Sequence, residues 1–272
     1  MTGRIMIKEY SSGIDFYEEN KSVLLADKYN EPFFRLDSPL LVNAGKEEYA
    51  LRISDGESCL LVLCVEPYSI LLSGDKALAG DYVNFVTANG YRIKNFLCDI
   101  GLGEELVSCF RNEGYIFNLA LGMDFMESDE RAPVKDGPVE HPGEDDVDEL
   151  YEMTNCFISD CGLGDTARKE RIRETLADYR ILRKDGIIVS FAKMHEWTDR
   201  DTKISTVYTR DEYRNRGCAR AVVSSVLNEI VGSGRTAVLN VDRENPVSYH
   251  LYTSMGFRRI FSQGVFQLKN RQ

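Results

Sequence analysis

Histidine is scarce. The three present, His141, His195 and His250, lie far apart in a chain of 272 residues and at no ligand spacing to any cysteine, so no metal is expected. The seven cysteines (Cys59, Cys64, Cys98, Cys109, Cys156, Cys161 and Cys218) form no CxxC pair and are odd in number, which excludes a disulfide framework closed on itself. Most sit in apolar runs and read as reduced core residues of a cytoplasmic protein. No stretch approaches the roughly 20 apolar residues of a membrane helix, and the opening MTGRIMIKEYSSG lacks the apolar centre of a signal peptide. Positive charge is also short: 33 Lys and Arg against 44 Asp and Glu give a net charge of -11, which argues against nucleic-acid or anionic-membrane partners. That acidity fits either plain solubility or a cationic amine substrate. The pattern GxxxxGK[ST] is missing, which excludes the ATP-type phosphate loop.

What is present is ample apolar material, 43% of the chain, at a length that suggests two domains of roughly 130 residues each. Composition changes sharply over MESDERAPVKDGPVEHPGEDD, residues 126–146, which holds three of the seven prolines. The expected division is 1–126, a linker at 127–137, and 138–272. In the first part, helices at 14–28 and 31–41 precede strands EYALRI, SCLLVLCV and YSILLS, a helix at 76–89, strand RIKNFLCDI, a helix at 104–113 and strand YIFNLALGM. In the second, helices near 144–155 and 166–178 precede strands YRILRK, IIVSFAKMH and KISTVYTR, a helix at 217–231, strand TAVLNV, a helix at 246–255 and a closing strand FRRIFSQGVFQL. The order is the same in both, which suggests one mixed α/β architecture used twice, although no residue-level repeat is visible.

The turn RNRGCARA, residues 214–221, stands out. Ala219, Val222, Val223, Val226, Leu227 and Ile230 follow helical spacing, so a helix starts near Gly217. A helix start normally carries a Ser, Thr or Asp cap and acids in its first turn. This one carries neither, and its free N–H groups and positive dipole end invite an anion. Gly217 and Ala219 allow close approach, while Arg214, Arg216 and Arg220 add charge. The similar-looking GLGEEL, residues 101–106, has Leu106 where a third glycine would be needed and two glutamates that repel phosphate, so it reads as a capped helix start.

Arg214, Gly217 and Ala219 fit R/Q-x-x-G-x-G/A, and NPVSYHLYTSMGF (245–257) matches N-x-x-A-x-x-x-Y-x-x-x-G-F at Asn245, Tyr252, Gly256 and Phe257, with Ser248 where alanine is common. On these motifs residues 138–272 resemble the GNAT superfamily of acyl-coenzyme A-dependent N-acyltransferases, most nearly the subgroup that includes glycine N-acyltransferases. The resemblance implies a GNAT-type central mixed sheet flanked by helices for residues 138–272 and says nothing direct about residues 1–125; if that half shares the fold, it is a degenerate copy that has lost the cofactor cradle and serves as scaffold or substrate wall. It implies acetyl-coenzyme A, or another acyl-coenzyme A, as co-substrate. The pyrophosphate would lie on Arg214, Asn215, Arg216, Gly217, Cys218, Ala219 and Arg220, and the pantetheine arm would pair with the backbone of Val207, Tyr208 and Thr209 between splayed strands. Asn245 and Ser248 join the cofactor set, Asn245 also reading as an ordinary helix cap before Pro246.

The implied chemistry is attack of a primary amine on the thioester, with a backbone donor near Val207 for the oxyanion and Tyr252 as the acid for the leaving thiolate. Tyr252 also fits simple core packing. The strand before the cradle holds Ser205 and Thr206 but no carboxylate. Glu196 is therefore the candidate base through water, against its reading as an exposed strand-end residue; a water chain or an already neutral amine would serve as well. His195 and Trp197 either line an acceptor pocket or pack. The expected function is acetyl transfer to a small-molecule amine or amino acid, the alternative a non-catalytic acyl-coenzyme A sensor or scaffold; a homodimer is left open.

Overall fold

The computed structural model describes residues 4–27, 29–132, 138–161 and 166–271. It divides into two compact units, one of Met1–Phe125, Asp242–Glu244 and Phe261–Gln272, the other of Met126–Val241 and Asn245–Ile260. This differs from the expected split in where the chain's end goes, and residues 133–137 of the expected linker lie outside the described residues.

In the first unit β1 (Met6–Tyr10), α1 (Gly13–Ala26) and α2 (Glu31–Asp37) lead into the antiparallel strands β2 (Tyr49–Ser54), β3 (Cys59–Cys64) and β4 (Ile70–Gly74). Then come α3 (Ala79–Ala88), β5 (Phe96–Asp99) parallel to β4, α4 (Ile100–Asn112) and the start of β6 (Tyr115–Ser128). The run CLLVLC has no polar alternation because β3 is covered on both faces. Leu60, Val62 and Cys64 join the core under α3 and α4, whereas Leu61 and Leu63 join the one under α1 and α2. The expected strand RIKNFLCDI shortens to Phe96–Asp99, and the next helix begins at Ile100 because Asp99 caps it, accepting from the N–H groups of Gly101 at 2.8 Å and Leu102 at 3.3 Å. GLGEEL is thus a capped helix start, as its glutamates suggest.

The second unit repeats the order: β7 (Val139–Glu140), α5 (Val147–Asp160), α6 (Lys169–Glu174), the antiparallel β8 (Tyr179–Lys184), β9 (Ile187–Glu196) and β10 (Asp201–Thr209), then α7 (Cys218–Gly232), β11 (Thr236–Asp242) parallel to β10, and α8 (Pro246–Thr253). One sheet face, with Ala192, Ile204, Ala237, Leu239 and Val241, packs on α7; the other, with Ile181, Ile188 and Phe191, packs on α5 and α6. Fully buried Val222, Val223, Val226 and Leu227 form the α7 side of that contact.

The closing strand β12 (Arg258–Arg271) corrects the domain expectation. From Phe261 it belongs to the first unit, where Gln263, Gly264, Val265 and Phe266 pair antiparallel with Asp99 to Phe96 of β5. Phe266 stacks on Phe96 with ring centroids 5.0 Å apart and planes 15° from parallel. All seven cysteines are free, but Cys156 and Cys161 are exposed, so the reading of the cysteines as core residues holds fully only for Cys64, Cys98 and Cys218.

Candidate active site

Among the described residues β10 and β11 pair at Asp201–Thr236, Thr202–Ala237 and Lys203–Val238, and no pairing continues beyond. The register of β10 against β9 slips between Ser205–Lys193 and Tyr208–Phe191, so one extra residue stands on β10. Thr206 takes φ +39° there, a left-handed conformation unfavourable for a β-branched side chain. The bulge therefore lies beyond the last pair of β10 with β11, at the stretch around Val207. The side chains on either side keep their faces: Val207 packs on the α7 side and Tyr208 on the α5 side.

Beyond Thr209 the chain makes a short turn over Asp211–Tyr213 and enters α7 through Asn215 at φ +60° and Gly217 at φ +78°. Gly217 is the N-cap of α7, so no side chain caps the helix, and its first turn holds no acid. Those N–H groups therefore need a partner from outside the helix. Cys218 is buried at the first helical position, and Ala219 is half-buried beside it. The arginines are more committed than the sequence suggests. Arg214 binds Asp160 at 2.6 Å and Asp211 at 2.8 Å, and its Nε donates to the Thr209 carbonyl at 3.1 Å. Arg216 lies over the Tyr213 ring at 5.6 Å, and Arg220 donates to Ser254 Oγ.

Asn245 caps α8, accepting from the Ser248 N–H at 3.0 Å, with Pro246 at the first position. The helix then carries Tyr252, 8% exposed, its ring 5.9 Å from that of Phe257. Burial, with a smaller contribution from Cys161, pushes the Tyr252 phenol up to about 12, so it stays protonated through the neutral range.

Glu196 is not brought to this opening. It pairs with Thr202, at the other end of β10 from the bulge, or roughly 15 Å from Val207 at strand rise. Its side chain is 87% exposed and lies 3.5 Å from Arg235. The exposed strand-end reading describes it. His195 is half-buried, with Nδ1 3.4 Å from Ser205 Oγ and its ring 6.2 Å from Trp197. Sequence reasoning missed Lys193, Lys203 and Asn240, which occupy the same sheet face; the one available signal was an asparagine inside the apolar run TAVLNV.

In the first unit the equivalent turn is closed by the chain itself. Asp75 accepts from the Ala77 N–H at 2.9 Å just before α3, Asp81 stands in the first turn, and the β3–β4 register runs unbroken from Leu60–Gly74 to Leu63–Leu71. Neither bulge nor open helix start is present.

Residues 186–265 match the family model described as FR47-like protein. Among curated proteins none matches the sequence. Of solved structures, a GCN5-related N-acetyltransferase from Sphaerobacter thermophilus is 16% identical, with 98% of this chain and 96% of that one covered and a TM-score of 0.66. A GNAT-family acetyltransferase from Colwellia psychrerythraea is 9% identical over 97% and 98%, TM-score 0.64. A tandem GNAT protein from the clavulanic acid biosynthesis pathway is 9% identical over 98% of both chains, TM-score 0.54. With the open helix start, the bulged strand and the diverging pair already located in its second unit, the chain has the fold of the GNAT N-acetyltransferases, and residues 186–265 are its FR47-like segment.

Proposed function

We propose that this protein is an acyl-coenzyme A-dependent N-acyltransferase that moves an acetyl group to a primary amine of a small molecule or amino acid. The observation that carries this is the divergence of β10 from β11 past Lys203–Val238, next to a helix start with neither cap nor acid. The residues fit the co-substrate. The free N–H groups of α7 suit the pyrophosphate, and the stretch Val207–Thr209 suits a strand-like arm, although the Thr209 carbonyl already accepts from Arg214. Acetyl-coenzyme A supplies the activated acyl group. Tyr252, held neutral by burial, acts as hydrogen-bond donor at the leaving sulfur rather than as a group that titrates during turnover. A backbone N–H near Val207 donates to the carbonyl oxygen. Glu196 stands too far away to serve as base, so the amine's proton leaves through water.

The stretch Ser205–Thr209 holds no carboxylate, which is also the observation favouring the second reading, a sensor that binds acyl-coenzyme A without turnover. Calorimetric titration with acetyl-coenzyme A tests the site. Binding near the micromolar range, about -8 kcal/mol, should weaken at least tenfold in Ala219→Glu, which places a carboxylate in the first turn of α7, and persist in Ala219→Ser. No binding to the wild type would end both readings. Release of free thiol in the presence of amines, lost in Tyr252→Phe with cofactor affinity kept, separates the enzyme from the sensor.

A further inference from the structure

The face of the second unit's sheet turned away from α7 carries a set of basic side chains that the overall acidity makes unexpected. Directly paired residues on neighbouring strands share a face, so the pairs Lys193–Ser205 and His195–Lys203 across β9 and β10 stand together. Lys193 Nζ donates to Thr175 Oγ1 at 2.8 Å, which leaves two of its three N–H groups for another acceptor. Among the described residues no carboxylate forms an ion pair with Lys193 or His195. Burial lowers the Lys193 ammonium, with Asp178 opposing and Arg171 adding to that shift, and it holds His195 near 4, helped by Lys203 and Lys193.

On β11 the same face continues. Val238 pairs with Lys203, and Asn240 follows two residues later, just past the last β10–β11 pair. Its Oδ1 is buried and has no hydrogen-bond partner among the described residues. A buried carbonyl oxygen left without a donor is destabilising, and it stands where the two strands part.

We infer that the acceptor is a primary amine that also bears an anionic group, a carboxylate or a phosphate. Its amine would donate to Asn240 Oδ1 at the opening, and its anion would lie on Lys193 with Ser205 and His195 beside it. β9 and β11 are separated by two strand spacings, about 10 Å, so the acceptor is longer than an α-amino acid reacting through its α-amine. In the reaction the amine nitrogen bonds to the acyl carbon, the carbon–sulfur bond breaks, and the proton lost by nitrogen balances the one gained by sulfur.

This inference rests on the acyltransferase reading, and equilibrium binding tests it separately. The probes are 4-aminobutanoate, 5-aminopentanoate and 6-aminohexanoate, with hexylamine as the counterpart that carries no anion and 6-aminohexyl phosphate as the phosphate arm, titrated calorimetrically into the whole chain without thioester. At least one anionic amine should bind tenfold or more tightly than hexylamine, and the better of the carboxylate and phosphate arms identifies the anion. Lys193→Met should abolish that preference by weakening the anionic amines without weakening hexylamine; Lys193→Arg should restore part of it, and thermal melts check that both variants fold. Equal binding of hexylamine and every anionic probe, binding of none, or a preference that survives Lys193→Met would overturn the inference. If acetyl-coenzyme A fails to bind while the anionic amines still discriminate, the acyltransferase reading falls and the anion site stands.

Discussion

His195 shows most directly what burial does to a single group on this face. Its imidazole is held near 4 against an ordinary value of about 6.5, because burial and the two lysines Lys203 and Lys193 all oppose its charge. Between those values an unfolded chain takes up a proton that the folded chain refuses. The stability contributed by neutral His195 is therefore complete above pH 6.5 and is lost as pH falls toward 4. Water reaches part of the ring, so the loss should be on the order of 1 kcal/mol rather than the full shift. Urea midpoints at pH 7 and pH 4.5 should differ less in His195→Gln than in the wild type; an identical difference would mean the ring is solvated. Lys203, its strand partner, lies 4.0 Å from the Trp197 ring and is drawn down to about 8 by burial. An anion arriving beside these groups would raise both.

At the scale of the element, α7 and β10 differ in how much the sequence discloses. The helix start was legible because absence was the signal: no cap, no acid, and a glycine where the chain must turn left-handed. The bulge was not. TKISTVYT is rich in β-branched and aromatic residues like any strand, and the extra residue appears only when β10 is set against β9. Nor does a sequence show that Arg214 spends its charge on Asp160, distant in the chain. The bulge conformation has a measurable cost. Thr206 at φ +39° is held against its own preference, so Thr206→Gly should raise stability by about 1 kcal/mol, read as a higher urea midpoint with unchanged m-value. If the midpoint falls instead, contacts of the threonine side chain outweigh the backbone strain.

For the whole molecule, the repeated order of elements could be read from periodicity, but the home of the last strand could not. FRRIFSQGVFQL alternates well enough to be a strand anywhere, and its partner β5 lies more than 150 residues earlier; only pairing of Phe266 with Phe96 and its neighbours decides. Phe266 is 3% exposed, stacks on Phe96, and presses on Gly103 of α4, where an added Cβ would stand 2.0 Å from its ring. Gly103 is thus required by packing, which explains why GLGEEL keeps a glycine without binding phosphate. The first unit's core is closed by a residue from the far end of the chain. Phe266→Ala should therefore cost about 3–5 kcal/mol of stability, and the loss should appear in the first unit, as faster amide hydrogen exchange in β5 and α4 while α7 of the second unit keeps its protection. Uniformly faster exchange in both units would mean that they unfold as one cooperative body, and that the final strand stabilises the second unit as much as the first unit it completes.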